Sequence, residues 1–209
     1  MLQYFLPSFE ASLPLSSSTM INSGSINEIP VHSSKEYLTG YLRRRVGFGG
    51  VAVTDYQDIE KLVFDYHLVE TYKEAALIAI DAGIDMSMVP LDYTFPEDVY
   101  QLVQEGLLSE SRIDESVTRI LQMKENLGLF GSNYLPDPNN VLLNSIGSES
   151  DINLALEIAE ESITLLKNDN NILPLSTNLN KVVITGPAAN SRGVLSGGWS
   201  IHVSITLFK

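Results

Sequence analysis

The sequence predicts an α/β fold built on a parallel sheet, and two observations support this prediction. Short apolar runs alternate with amphipathic stretches across residues 20–130, which is the pattern of successive βα units. The apolar runs are also bounded by glycine, proline or asparagine, as strands usually are. We therefore predict three strands, at residues 19–21, 51–54 and 84–89.

Helices are predicted between and after these strands, because apolar residues recur there at helical spacing. They cover residues 35–46, about 70–82, 96–105 and 111–127. In the last of them the apolar positions are Ile113, Val117, Ile120, Leu121 and Leu127. Gly128 follows at the position where a left-handed residue commonly ends a helix.

A boundary between two domains is predicted at residues 132–150, which are rich in glycine, proline and asparagine and show no periodicity. Residues 1–131 then form a first domain and residues 151–209 the beginning of a second. In the second we predict a helix at residues 151–161, strands at 163–166 and 182–185, and a turn at 185–187. Only three βα units fit into the first domain, whereas a closed eight-stranded barrel takes about 250 residues, so we expect both domains to be incomplete.

The bulk composition excludes several classes of partner. The net charge is −13, from 26 acidic and 13 basic residues, and a negative surface repels both phosphate backbones and anionic lipid. Nucleic acid and membranes are therefore not expected partners. The chain contains no cysteine, which rules out a thiolate metal site, and no apolar run reaches the roughly 18 residues of a membrane span.

Asp55 is the first candidate for chemistry, because it directly follows the apolar run of residues 51–54. The carboxyl ends of parallel strands form the floor of the active site in α/β folds, so an acidic residue there is well placed for catalysis. The residues alone leave an alternative open: aspartate is a favoured N-cap, and Asp55 could simply cap the helix that follows.

Five ordered blocks of sequence resemble glycoside hydrolase family 3. The run GFGGVAVTDYQDIEKL resembles the family's nucleophile signature, Gly-Phe-x-Gly-x-x-x-Ser/Thr-Asp-Trp. The runs AALIAIDAGIDMSMVP and SRIDESVTRILQMKENLGLF resemble its eighth helix–strand unit and its last barrel helix. Two further runs, AEESITLLKNDNNILPL and VVITGPAANSRGVLSGGWSIH, resemble the start of its second domain.

The resemblance implies a fold and a reaction. The fold would be the carboxyl-terminal part of a TIM-type (β/α)8 barrel followed by the start of an α/β sandwich domain. The reaction would be hydrolysis of terminal β-linked glucose with retention of configuration, without a cofactor, on a β-glucoside or β-linked oligosaccharide. Asp55 would be the nucleophile, and the proton donor would be a glutamate outside this chain. Family membership also implies a secreted or lysosomal protein.

Four further residues are carried over from the resemblance as substrate-binding candidates. Tyr56 stands where the family usually has tryptophan, so it would keep an aromatic wall beside the nucleophile; a role as ordinary core is the alternative. Lys61 stands where a relative has an arginine near the outer sugar, and a solvated lysine is equally compatible. Trp199 matches a tryptophan that covers the second sugar in some relatives. Ser23 replaces a tyrosine common in the family, which departs from the pattern but fits a subgroup of lysosomal or secreted β-glucosidases.

Other polar residues are assigned no chemistry. His32, His67 and His202 do not match the family's sugar-binding Lys-His pair and are interpreted as surface or packing residues. Asp81 and Asp85 are interpreted as structural, because one ends a predicted helix and the other begins a predicted strand. Similarity to the family stops after His202, which suggests a change of reading frame or a split gene at residues 203–209.

Two alternative functions remain open. A β-xylosidase of the same family fits the same blocks, whereas a β-N-acetylglucosaminidase fits less well, because that branch often lacks the second domain. The 209-residue chain by itself could instead be a truncated, non-catalytic carbohydrate-binding fragment. We expect the isolated chain to be marginally stable. We also expect it to be inactive, because it would lack the proton donor, and general acid assistance alone is worth roughly 10² to 10⁴ in rate.

Overall fold

The computed structural model of the protein describes residues 3–89, 91, 93–131 and 140–198. The chain divides into two units, residues 1–137 and 138–209. In the first unit the helices are α1 (Leu6–Ser12), a π-helix (Glu36–Arg45), α2 (Asp58–Phe64), α3 (Tyr72–Ala82), α4 (Thr94–Gln104) and α5 (Glu110–Asn126). In the second they are α6 (Val141–Asn144), α7 (Glu149–Ser162) and α8 (Arg192–Leu195). Within the described ranges, no helix is both long enough and apolar enough to cross a membrane.

The first unit is built on parallel strand pairing, as predicted. Strands β1 (Ser18–Met20) and β4 (Val51–Val53) pair in parallel with Thr19 opposite Ala52. A single parallel bridge joins Val53 to Met86 at the opposite edge of β4. A small antiparallel hairpin, β2 (Ser25–Ile26) and β3 (Ile29–Pro30), follows β1. The helices lie between these segments in sequence, which makes this unit α/β in class.

The predicted strand at residues 84–89 is wrong in extent, because only the bridge at Met86 forms. Side chains take over hydrogen bonds that a ladder would use. The Asp85 carboxylate accepts the Ala52 N–H at 2.9 Å, and the Thr54 hydroxyl oxygen accepts the Met88 N–H at 2.8 Å. The N–H groups of Asp85 and Met86 also converge on one carbonyl, that of Ala52, at 2.9 and 3.2 Å. A regular parallel ladder needs evenly spaced backbone–backbone hydrogen bonds. Here side chains and one doubly used carbonyl take the place of those bonds, so the ladder does not continue.

Helix α3 forms the centre of the hydrophobic core. Ala75, Ala76 and Ala79 are fully buried on one face, as their spacing predicts. The helix begins with a capping box in which the Thr71 hydroxyl accepts the Glu74 N–H and the Glu74 carboxylate accepts the Thr71 N–H. These bonds satisfy backbone donors that a helix start would otherwise leave unpaired.

A buried ionic cluster around Asp85 ties the sheet edge to two helices. The Asp85 side chain has no exposed surface. Its carboxylate accepts hydrogen bonds from Arg43 of the π-helix and, at 2.8 Å each, from Ser116 and Arg119 of α5. Arg112 of α5 lies 3.6 Å from the same carboxylate. Burial lowers the pKa of Arg43 and Arg112, and the charge of Asp85 opposes that effect. These contacts agree with the interpretation of Asp85 as structural.

The second unit contains helices, but two strand predictions there are wrong. Helix α7 begins with a capping box between Ser148 and Asp151, and the predicted turn is present, with the Ala189 N–H donating to the Gly186 carbonyl at 3.1 Å. Residues 163–166 and 182–185, however, form no strand. Parallel strands need hydrogen-bonding neighbours and covered faces, whereas Ile163 and Ile184 are 79% and 76% exposed. Among the residues that the structure describes, no strand or bridge partner lies beside either segment.

Candidate active site

The carboxyl ends of β1 and β4 place two candidate residues side by side. Ser23 lies two residues beyond the end of the β1 pairing, which the Ile21 N–H extends by donating to the Val53 carbonyl at 2.8 Å. Asp55 lies two residues beyond β4. Because parallel strands end at the same edge of a sheet, the two side chains meet: the Ser23 hydroxyl oxygen is 3.2 Å from Asp55 Oδ2.

The Asp55 carboxylate is held by two hydrogen-bond donors. The Tyr56 N–H donates to Oδ1 at 2.6 Å, and the Ser23 hydroxyl donates to Oδ2 at 3.2 Å. First the Tyr56 amide and then the Ser23 hydroxyl hold the pKa of Asp55 below its usual range, with a smaller contribution from the charge of Lys61. Asp55 is therefore a partly exposed carboxylate, with its pKa held low by these donors, at the end of a buried strand.

The interpretation of Asp55 as a mere helix cap is wrong. Helix α2 begins at Asp58, and its N-cap position is Gln57, whose left-handed φ of 58° breaks the chain direction after the strand. The Asp58 N–H donates to the backbone carbonyl of Asp55, at 3.3 Å, and not to its side chain. The Gln57 N–H is taken by the Met88 carbonyl at 3.1 Å. The Asp55 side chain therefore does not cap α2.

Asp58 is the residue that sequence reasoning missed at this site. Its side chain is 1% exposed. Asp58 Oδ1 accepts a hydrogen bond from Lys61 Nζ at 2.5 Å, and Oδ2 accepts one from the Ser23 hydroxyl at 2.7 Å. An acidic residue on the first turn of a helix is ordinary in sequence, because it favours the helix dipole. Its position three residues after Asp55, on the buried face next to Ile59 and Leu62, was the available signal.

His32 lies beneath this network and is buried, which agrees with its interpretation as a packing residue. Its Nε2 is 3.4 Å from Asp58 Oδ2, but the geometry is not that of a hydrogen bond. Burial lowers the pKa of His32, and the neighbouring charge of Asp58 acts against this. The imidazole is therefore neutral at pH 7 and above. His67 is exposed, and His202 lies outside the described residues.

The remaining predicted site residues are partly accounted for. Lys61 is half-buried on α2, and its hydrogen bond to Asp58 raises its pKa. Tyr56 is partly buried immediately after Asp55. Trp199 lies outside the described residues, so its predicted position is not defined. In the part of the chain that the structure covers, no group of three or more potential ligands is arranged to hold a metal ion.

The geometry of the site leaves one carboxylate oriented and accessible. An ionised carboxylate lies at a strand end, a backbone N–H fixes one oxygen, and a weaker bond from Ser23 reaches the other. The Tyr66 hydroxyl donates to the backbone carbonyl of Ser23 at 3.0 Å and so anchors the loop after β1. Such an arrangement suits attack on an electrophilic carbon.

Comparison with known proteins gives two family matches. The glycosyl hydrolase family 3 N terminal domain matches residues 3–123, and the glycosyl hydrolase family 3 C-terminal domain matches residues 163–209. The second match runs past His202, so the predicted end of similarity at that residue is wrong. Lysosomal beta glucosidase of Dictyostelium discoideum is 54% identical over 203 residues, which are 96% of this chain and 25% of that protein. A beta-xylosidase of Formosa agariphila is 30% identical over 95% of this chain and 28% of its own length. The chain thus spans about a quarter of the length of the curated relatives it matches.

Solved structures agree with these matches. A β-glucosidase involved in saponin metabolism from intestinal bacteria superposes with a TM-score of 0.67 at 37% identity, covering 83% of this chain and 22% of its own. A mutant β-glucosidase from Listeria innocua in complex with laminaribiose superposes with a TM-score of 0.64 at 29% identity, covering 82% of this chain and 23% of its own. The described residues thus have an α/β fold similar to that of these β-glucosidases.

Proposed function

The chain belongs to glycosyl hydrolase family 3, and on this premise we propose that the longer polypeptide containing it is a retaining exo-β-glucosidase with Asp55 as its nucleophile. The observation that carries the proposal is the accessible Asp55 carboxylate, held by the Tyr56 N–H and the Ser23 hydroxyl at the carboxyl end of β4. The names of the relatives support glucose as the sugar, because the 54% identical protein is a β-glucosidase.

The proposed reaction has two steps. In the first, Asp55 Oδ2 forms a bond to the anomeric carbon while the bond from that carbon to the leaving oxygen breaks. The leaving oxygen takes the electron pair and a proton from a carboxylic acid of the enzyme. In the second, water attacks the anomeric carbon, gives up a proton to the same carboxylate, and Asp55 is released. The lowered pKa of Asp55 suits the first step, because only the ionised form attacks.

Asp58 is not that acid, although its distance invites the comparison. Ser23 contacts both carboxylates, at 2.7 and 3.2 Å, so the two acids are near neighbours, as the carboxyl groups of a retaining pair must be. The Asp58 side chain is, however, only 1% exposed, and its oxygens already accept hydrogen bonds from Lys61 and Ser23. A proton donor must reach the leaving oxygen of a bound sugar. We propose that this acid is a glutamate of the longer polypeptide.

The finer architecture is part of the same proposal. We assign residues 1–131 to the carboxyl-terminal part of a TIM-type barrel, residues 132–150 to a linker, and residues 151–209 to the beginning of an α/β sandwich domain. The parallel neighbours β1, β4 and Met86 support the first assignment. A secreted or lysosomal location is proposed from the name of the 54% identical relative.

Substrate contacts are proposed from the family resemblance, together with the positions of Ser23, Tyr56 and Lys61 near Asp55. Tyr56 is proposed as the wall of the glucose pocket, with Lys61 and Trp199 toward the second sugar. Ser23 is proposed to act on the substrate through Asp55, to which it donates a hydrogen bond. The substrate class is a β-glucoside or β-linked oligosaccharide, in keeping with the relative solved in complex with laminaribiose.

The experiment that tests the function compares two aspartates in the full-length protein. Asp55→Ala should lower kcat on an aryl β-glucoside by at least about 10⁴-fold, because the covalent step is lost. Asp65→Ala is the matched control: Asp65 is exposed at the end of α2, and its loss should leave kcat unchanged. Equal turnover by Asp55→Ala and the unsubstituted protein would overturn the assignment.

A β-xylosidase activity is the second candidate, because a β-xylosidase is among the relatives of similar coverage. Aryl glucoside and aryl xyloside differ at the hydroxymethyl group of the sugar, so the ratio of their kcat/KM values reports which substrate the pocket fits. We expect glucoside to be preferred by about 10-fold or more. A ratio below one would make the protein a xylosidase with the same nucleophile.

A further inference from the structure

The Ser23 hydroxyl is shared between two carboxylates, and it prefers the one that does not react. A serine hydroxyl has one proton to donate. Asp58 Oδ2 is 2.7 Å from the Ser23 oxygen and Asp55 Oδ2 is 3.2 Å from it. The shorter distance is that of a strong hydrogen bond to a carboxylate, and the longer one is at the weak end of the range for O–H donors. The attacking oxygen of Asp55 is therefore only lightly held.

Asp58 also holds the nearest cation. Lys61 Nζ donates to Asp58 Oδ1 at 2.5 Å. The charge of Asp55 is among the smaller influences on Lys61, and that of Lys61 among the smaller influences on Asp55. Without the Asp58 carboxylate, this ammonium group would have Asp55 and Asp65 as its neighbouring anions. Asp58 thus accepts the stronger hydrogen bond of Ser23 and pairs with Lys61. Neither group then interacts strongly with the nucleophile.

We propose that Asp58 is a positioning residue for Asp55: it accepts the stronger hydrogen bond of Ser23 and pairs with the Lys61 ammonium group, so that Asp55 Oδ2 stays free to attack. Asp58 does not touch the sugar, because its side chain is buried between Ser23, Lys61 and His32. This inference rests on the proposed role of Asp55 as nucleophile. It assigns to a residue of α2 a function in the reaction that its burial alone would not suggest.

The arrangement also fits the covalent intermediate. When Asp55 Oδ2 bonds to the anomeric carbon, the carboxylate becomes an ester and loses its negative charge, so it accepts hydrogen bonds less well. The Ser23 hydroxyl then donates to Asp58 alone and keeps a partner throughout. When water cleaves the ester, the carboxylate returns and the shared bond re-forms. No donor is left unpaired in either state.

The test is a double-mutant cycle on the full-length protein, read from the acid limb of kcat/KM against pH, which reports the free nucleophile. Asp58→Asn should move the acid limb to lower pH and lower kcat about 10-fold, the factor that corresponds to one hydrogen bond to a charged group. Ser23→Ala should move the limb to higher pH. In the Ser23→Ala background, Asp58→Asn should cause a smaller shift than it does alone.

Three outcomes overturn the inference: an unmoved acid limb in Asp58→Asn, a shift to higher pH, or an equal shift with and without Ser23. If Asp58→Asn does not fold, Asp58→Ser takes its place with the same expected signs, because the smaller side chain keeps one acceptor. A 2-deoxy-2-fluoro glucoside separates this inference from the proposed function. A label on a residue other than Asp55 refutes the proposed function, whereas a label on Asp55 combined with an unmoved acid limb refutes only the role of Asp58.

Discussion

The Ser23 hydroxyl lies 3.2 Å from Asp55 Oδ2, so the ends of two neighbouring parallel strands are joined through the side chain proposed to attack the sugar. Serine at this position donates one hydrogen bond to the nucleophile and occupies less volume than an aromatic residue would. The bond lowers the pKa of Asp55 after the larger effect of the Tyr56 N–H. This relationship gives the first prediction.

Ser23→Ala should raise the pKa of Asp55 toward its ordinary value, because one donor to the carboxylate is removed. The nucleophile reacts only when ionised, that is, above its pKa. A raised pKa should therefore move the acid limb of kcat/KM to higher pH, while the plateau at neutral pH persists. Ser33→Ala is a control of the same chemistry, because the Ser33 hydroxyl donates to the Pro30 carbonyl instead. An acid limb that stays in place in Ser23→Ala would contradict the assigned hydrogen bond.

Asp85→Asn should destabilise the protein by about 3–5 kcal/mol, the usual effect of removing one partner from a buried ionic cluster. Three arginines approach the fully buried Asp85 carboxylate, and neutralising it leaves their charges without the central anion. The free energy of unfolding in urea is the measurement. Glu115→Gln is the control, because Glu115 is 59% exposed and its pair with Arg119 spans 3.5 Å, so it should change stability by less than about 1 kcal/mol. Similar losses for both variants would refute the structural role of Asp85.

Gly83→Ala and Gly106→Ala form a matched pair that tests the packing of α3. Gly83 has a φ of 136°, and an added Cβ would lie 3.0 Å from the Leu38 Cβ of the π-helix. Gly106 has a φ of 71° and open space around it. The Gly106 variant should lose about 1 kcal/mol, from backbone strain alone, and the Gly83 variant about 2–3 kcal/mol or more. Urea unfolding of both proteins decides, and equal losses would show that the contact with Leu38 does not matter.

Helices α3, α4, α5 and α7 and strands β1 and β4 could be predicted because local patterns determine them, whereas the short helices α1, α6 and α8 and the β2–β3 hairpin were not predicted. The apolar face of α3 and the periodicity of α5 are visible in the sequence, and the structure places both helices within about two residues of the predicted ends. The run at residues 51–54 is confirmed as β4 in the same way. Helix α3 and strand β4 bury apolar residues whose spacing matches their own geometry, whereas Val117, Leu121 and Leu127 of the stripe predicted for α5 stay at least 44% exposed.

The errors have a different physical cause, because pairing depends on residues distant in sequence. Residues 84–89 have the composition of a strand, yet the side chains of Asp85 and Thr54 take the hydrogen bonds that a ladder needs. Apolar runs such as residues 163–166 are strands only where a neighbour pairs with them. Composition shows that a segment can pair, but it does not show what lies beside it.

At the site, the position of Asp55 followed from sequence and its surroundings did not. A carboxylate after a buried strand is recognisable as a candidate, and the family resemblance gave it a role. The contact of Asp58 with Ser23 joins residues 35 positions apart, and no local pattern predicts it. The predicted roles of Tyr56, Lys61 and Trp199 toward the sugar remain predictions.

The central claim is that Asp55 forms the covalent bond to the sugar, and trapping the intermediate tests it most directly. The full-length protein is incubated with an activated 2-deoxy-2-fluoro-β-glucoside, which slows release of the glycosyl group more than its formation, and is then digested and analysed by mass spectrometry. We predict that the fluoroglucosyl group is found on Asp55 and that Asp55→Ala, but not Asp65→Ala, abolishes labelling. A label on Asp58, or on any other carboxylate, would contradict the assignment of Asp55 as the nucleophile.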